Sequence, residues 1–188
     1  MAQKKRLILG IGLLALIIVI AVFARDQLAG FAGADPGAGP ESGAEDASKT
    51  SAFDFTMLDA EGAEIRLSDI IANGKPVILN FWASWCPPCR SEMPDFESVY
   101  QELGGEIQFM MVNLTDGQRE TVDAAKQYIL DEGFTFPVFF DANREGASAY
   151  GVMSIPTTIF IDSNGKIAGT ETGAISETAL RNRIDMFF

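Results

Sequence analysis

The chain has 188 residues, 47% of them hydrophobic, which suits one domain with a single core plus an appendage. Residues 1–50 balance five Lys/Arg against five Asp/Glu, so the net charge of −12 falls on residues 51–188, where nine face twenty-one; that argues against nucleic acid or an anionic membrane surface as partner. Two cysteines and no histidine exclude Cys–His nucleophiles, Ser–His–Asp triads and His-based metal centres.

Lys4-Lys5-Arg6 precede an unbroken apolar run over residues 7–24, followed by Arg25-Asp26. Its eighteen residues just reach the length of a membrane-spanning helix, and the flanking cations favour a cytoplasmic N-terminus with the remainder exported. The competing reading is a signal peptide cleaved after Val22-Phe23-Ala24. Residues 1–26 are thus an anchor or signal. The domain then lies outside the cytoplasm, held at the cell membrane in the first case and secreted or periplasmic in the second. Residues 27–51, rich in Gly, Ala, Pro, Ser, Asp and Glu, have the composition of a flexible tether with a reach of ~25–30 Å. The folded domain is expected over residues 52–188.

Residues 53–58 and 63–67 alternate around Asp59-Ala60-Glu61-Gly62, which predicts a β-hairpin. Ser68 is the expected cap of a short helical turn. Residues 76–82 read as a buried strand, and Met93, Phe96, Val99, Tyr100 and Leu103 recur at helical spacing after Pro88. Residues 107–114 are a second strand. Residues 120–132 are a helix with Val122, Ala125, Tyr128 and Ile129 on one side, ended by Gly133. Residues 136–140 are a third strand. Strand, helix, strand, helix, strand is the pattern of a parallel sheet covered by helices. A short helix over 145–150 precedes a strand over 154–161, a turn at Asp162-Ser163-Asn164-Gly165, a returning strand over 166–172, and a final helix capped by Ser176 and reaching Met186.

Both cysteines sit in Trp85-Cys86-Pro87-Pro88-Cys89-Arg90, on the turn from a strand into a helix. The unpaired N–H groups and positive dipole end of a helix start favour a thiolate, which is the nucleophile. A disulfide between residues three apart closes too small a loop to act as a staple. A zinc site needs about four ligands, and haem attachment needs His where this chain has Arg90. A redox-active dithiol remains, with Cys86 as the attacking thiol and Cys89, one turn inside, resolving the mixed disulfide. Pro88 suits a first helical turn, and Pro87 offers no N–H to the Cys86 sulfur. Trp85 covers the sulfurs or meets the partner. Glu92, three residues after Cys89, shares its helix face.

Trp-Cys-Pro-Pro-Cys with Arg90, Glu92 and Pro94 resembles the TlpA/ResA branch of the thioredoxin superfamily, a likeness that runs from about Ala52 to the C-terminus. It implies a thioredoxin-like α/β fold: a central mixed sheet flanked by helices, with an N-terminal hairpin and an inserted helix-strand segment over about 119–140. It implies a membrane-tethered thiol-disulfide oxidoreductase that needs no metal or organic cofactor beyond the Cys86–Cys89 couple. A cis Ile155–Pro156 bond facing the cysteines is implied as well, with Ile155 backbone offered to an extended substrate. Glu92 becomes a candidate proton acceptor for Cys89. Thioredoxins proper carry a buried Asp where this chain has Asn80, which cannot titrate. The implied partners are protein disulfides, such as those of apocytochrome c or an oxidised repair enzyme, and a membrane thiol reductant. A disulfide-donating oxidase and a redox-silent docking module stay open as alternatives.

Overall fold

The computed structural model describes residues 49–188. The span and most of the tether read from the sequence lie outside them. Among the described residues no helix is long and apolar enough to cross a membrane. Ordered pairing begins at the end of the expected tether: Ile167 N–H donates to Thr50 C=O at 2.8 Å, and Ala52 N–H to Gly165 C=O at 2.9 Å.

The hairpin forms from β1 (Thr56–Leu58) and β2 (Glu64–Arg66), paired antiparallel. Helix α1 (Leu67–Ile71) follows without a break. Its cap differs from expectation. Ser68 lies inside the helix, and the first-turn N–H of Ser68 is taken at 2.9 Å by Asp54, a carboxylate fourteen residues earlier that also pairs with Arg66.

The core runs through β3 (Val77–Trp82), α2 (Pro87–Leu103), β4 (Gln108–Asn113), α3 (Val122–Glu132) and β5 (Val138–Phe140). Strands β3, β4 and β5 are parallel, as the alternation of strands and helices requires. After α4 (Glu145–Ala149), β6 (Thr157–Ile161) and β7 (Ile167–Thr172) form the second hairpin, and α5 (Glu177–Phe187) closes the fold behind its cap Ser176. The seven strands lie in the order β2-β1-β5-β4-β3-β6-β7. The N-terminal hairpin thus joins the sheet through the inserted strand, at Leu58 opposite Phe140.

β3 is buried along its whole length, and its side chains alternate between two cores. Val77, Leu79 and Phe81 join Leu67 and Ala147 on one face. Ile78 and Trp82 join Met93, Phe96, Val99 and Leu180 on the other. Asn80 shares the parity of Ile78 and Trp82, so it points toward α2 and α5. The stripe that α2 buries, Cys89, Glu92, Met93, Phe96 and Val99, follows helical spacing and contains one carboxylate. Pro94 stands on the exposed side of α2. Helix α3 starts later than the expected residue 120: Thr121 is the cap, with Oγ1 accepting from Ala124 N–H at 3.1 Å, and Glu120 lies outside the helix. Gly133 ends it at φ 74°, a left-handed conformation that glycine adopts without a Cβ clash.

Candidate active site

Cys86 is the N-cap of α2, with Pro87 and Pro88 as the first helical residues. Two consecutive prolines are tolerated there because those N–H groups would have no helical partner. The first available donor is Cys89 N–H, which donates to Cys86 Sγ at 3.3 Å. The sulfurs are joined as a disulfide, with Cys86 3% and Cys89 0% exposed. The turn is fixed from both sides: Cys86 N–H donates to Ala83 C=O at 3.1 Å, and Arg90 N–H to Cys86 C=O at 3.0 Å.

The Ile155–Pro156 bond is cis, and Ile155 carbonyl oxygen lies 3.7 Å from Cys86 Sγ. Beside them opens a groove of about 280 Å³ walled by Trp85, Leu114, Val152, Met153 and Ile155, with Asp116 and Arg144 at its edge. Met153 is almost fully exposed and Trp85 is 38% exposed, so the rim of the groove offers apolar surface. Pro156 is buried and is not among the residues that line the groove. Pro87 lies on the other flank of Trp85, in a shallower depression with Arg90, Ser91, Tyr128 and Glu132. Of Trp85, Pro87, Ile155 and Pro156, the residues around the cysteines singled out from the sequence, Trp85 and Ile155 therefore share the groove. The Arg90 guanidinium is turned to Glu132, at 3.7 Å, and to the Tyr128 ring, at 5.1 Å.

Glu92 is buried where face parity and helical spacing meet. Its Oε1 accepts from Asn80 Nδ2 at 2.9 Å, and Oε2 accepts from Ile175 N–H at 3.0 Å. Asn80 Nδ2 also donates to Thr158 Oγ1 at 3.0 Å across the β3–β6 pair, in which Asn80 and Thr158 are direct neighbours. Burial pushes the Glu92 carboxyl up to about 7, with Asp95 adding to the rise and the two hydrogen bonds opposing it. A group poised there exchanges protons readily near neutral pH.

A second buried carboxylate escaped the sequence reading. Glu120 accepts from Ser84 N–H and Ser84 Oγ, each at 2.8 Å, and from Asn113 Nδ2 at 2.6 Å. Its neighbour Arg119 lies over the Trp85 ring, 3.5 Å from the centroid. The segment between β4 and α3 thus grips the turn that leads into Cys86. The one sequence signal was Thr121, whose capping chemistry sets the helix start just after Glu120. Among the described residues no group of three or more His, Cys, Asp or Glu side chains is placed to hold a metal ion.

The chain is similar to known proteins in sequence and in fold. Residues 49–170 match the AhpC/TSA family. The thiol-disulfide oxidoreductase ResA of Geobacillus thermodenitrificans is 37% identical over 139 residues, covering 72% of this chain and 75% of that protein. ResA of Bacillus subtilis is 32% identical over 187 residues, 99% of this chain and 96% of its own. Among solved structures, StoA from Bacillus subtilis superposes with a TM-score of 0.61 at 30% identity, covering 70% of this chain and 96% of that one. A putative thiol:disulfide interchange protein DsbE from Chlorobium tepidum gives 0.64 at 32% identity, covering 72% and 94%. The chain belongs to the AhpC/TSA family and is a thiol-disulfide oxidoreductase of the ResA type, with a thioredoxin-like fold.

Proposed function

We propose that the protein reduces disulfides in specific partner proteins outside the cytoplasm, with Cys86 attacking, Cys89 resolving and Glu92 handling the proton. The observation that carries this reading is the place of Cys86 Sγ. It meets the first free N–H of α2 on one side and Ile155 carbonyl oxygen on the other, beside an apolar groove. In the reduced protein the Cys86 thiolate attacks a substrate disulfide. A sulfur–sulfur bond to Cys86 forms, the substrate bond breaks, and one substrate thiolate leaves. Cys89 then loses its proton to Glu92 and attacks Cys86 sulfur, releasing the second substrate thiolate. Two electrons pass to the substrate, and the Cys86–Cys89 disulfide remains.

Ile155 presents its backbone to an extended segment of the partner, and the groove takes an apolar side chain beside the target cysteine. Apocytochrome c or an oxidised repair enzyme would fit as substrate, and a membrane thiol reductant would restore the dithiol. The apolar run over residues 7–24 supports tethering, and the alignment with ResA of Bacillus subtilis extends over 187 residues and so takes that run in.

Insulin reduction by the full-length chain, with and without Cys86→Ser, tests the chemistry. Thiol-dependent turbidity that vanishes in the variant is expected; equal turbidity in both would overturn the assignment. Trapping Cys89→Ser mixed disulfides in cells identifies the partner class. Species containing only unfolded, newly exported chains would favour oxidase chemistry.

A further inference from the structure

Among the described residues three buried side-chain atoms have no hydrogen-bond partner, Trp82 Nε1, Tyr150 Oη and Asn80 Oδ1, and the last belongs to the side chain that meets Glu92. Asn80 is fully buried, its Nδ2 serves Glu92 and Thr158, and its Oδ1 has no hydrogen-bond partner among the described residues. A buried amide oxygen left unpaired is uncommon. Turning the amide by half a revolution exchanges the two atoms. Oδ1 would then stand about 3 Å from both Glu92 Oε1 and Thr158 Oγ1, able to accept from a protonated carboxyl and from the hydroxyl. Nδ2 would take the unpaired place instead. Each orientation leaves one end unsatisfied, so no third partner locks the amide. The carboxyl decides between them.

We propose that Asn80 is a positioning residue for the proton step, donating to the Glu92 carboxylate and turning to accept from the Glu92 carboxylic acid. This rests on the reading of Glu92 as the proton acceptor for Cys89. When the Cys89 S–H bond breaks and the Glu92 O–H bond forms, the new acid meets an acceptor in place of a donor. The hydrogen bond that held the carboxylate is replaced rather than lost. Thr158 suits both states, because a hydroxyl accepts from Nδ2 and donates to Oδ1. The surroundings leave the carboxyl as the switch. Ile175 on the segment before α5 contributes a backbone N–H, Thr158 on β6 a hydroxyl, and Asp95 on α2 itself is the charge that acts on Glu92.

The test is a side-chain titration of the reduced full-length chain in detergent micelles. Labelling with 15N-asparagine gives six side-chain amides, and the Asn80→Leu spectrum assigns that of Asn80. Glu92 is followed by its 13C carboxyl resonance. The Asn80 amide is expected to shift with the same midpoint as the Glu92 carboxyl, and to stay flat in Glu92→Gln. Asn80→Leu removes the donor to the charged form, so the Glu92 midpoint should rise by about one pH unit. Asn80→Asp puts two carboxyls in contact and should split the titration into two separated steps. A Glu92 carboxyl that titrates beside an unmoving Asn80 amide overturns the inference and leaves the role of Glu92 standing. If Glu92→Gln changes neither the Cys89 titration nor the pH profile of exchange, the reading of Glu92 falls, whatever the amide does.

Discussion

Glu120 holds Ser84 at both of its hydrogen-bonding groups, accepting from the backbone N–H and from Oγ at 2.8 Å each across thirty-six residues of chain. Ser84 stands two residues before Cys86, so a carboxylate from the β4–α3 segment sets the backbone that enters the dithiol. Glu120→Ala should therefore leave Ser84 N–H and Asn113 Nδ2 without their acceptor and cost about 1–3 kcal/mol. Urea unfolding of the oxidised protein measures it. The Arg119–Trp85 stack rides on the same segment, so the tryptophan fluorescence of the folded variant should change as well. A variant as stable as the parent, with unaltered emission, would show that the segment is held by other contacts.

In the reduced protein Cys86 should be alkylated before Cys89. The two differ little in exposure, so the difference must come from the ionised fraction of each thiol. Both cysteines pack in the same apolar cluster, but Cys86 Sγ receives Cys89 N–H at the positive end of α2, whereas Cys89 lies inside the helix. Brief iodoacetamide treatment below neutral pH, followed by peptide mass mapping, reads the order. Label found first on Cys89 would exchange the two roles.

Glu92 makes stability depend on pH in a direction opposite to that of an ordinary paired carboxylate. Its carboxyl is raised from 4.5 to about 7 in the folded chain, so the folded state binds the extra proton between those values. The contribution is fully present below about pH 4.5 and is lost as pH rises through about 7. The shift corresponds to a ceiling of about 3 kcal/mol. Urea unfolding at pH 5 and pH 8 should show the parent losing stability between them relative to Glu92→Gln. Parallel pH profiles for the two proteins would place Glu92 in a solvated setting.

The dithiol, Pro156 and Glu92 were legible because each stands out locally, whereas the cis form of the Ile155–Pro156 bond was expected from the family resemblance. Cys86 and Cys89 bracket the start of an apolar periodic helix, Pro156 opens an apolar strand, and Glu92 follows Cys89 at helical spacing. Asn80 was legible only as a residue that cannot titrate. Its contact with Glu92 depends on the parity of β3, shared with Ile78 and Trp82, and on where α2 docks. Both periods are in the sequence, but the meeting point is a tertiary fact. Glu120 and Asp54 were lost for a related reason. An acid beside a helix start looks like an ordinary dipole partner, yet Glu120 turns inward to Ser84, and Asp54 reaches forward to cap α1 where Ser68 was the local candidate. The pairing of β1 with β5 likewise joins segments about eighty residues apart, beyond the reach of any local pattern.

The last prediction concerns direction. A dithiol becomes a strong oxidant when its reduced form is stabilised, chiefly through the thiolate of the attacking cysteine. Here that stabilisation is meagre. Pro87 and Pro88 occupy the two positions between the cysteines and carry no N–H, which leaves Cys89 N–H as the donor from the helix start. The chain has no histidine to place a cation beside the sulfur, and the Arg90 guanidinium is turned to Glu132 and Tyr128. A tether of ~25–30 Å would add a functional reason, since a reductant outside the cytoplasm must be recharged across the membrane and gains from staying near its donor. The potential should therefore lie nearer the reducing end of the thioredoxin-like range, about −270 mV, than the oxidising end near −120 mV. Equilibration with glutathione buffers measures it, and acid quenching of intact cells with a maleimide tag reads the state at work. A potential above about −180 mV, with Cys86 and Cys89 mainly disulfide-bonded in cells, would make the protein a disulfide donor instead.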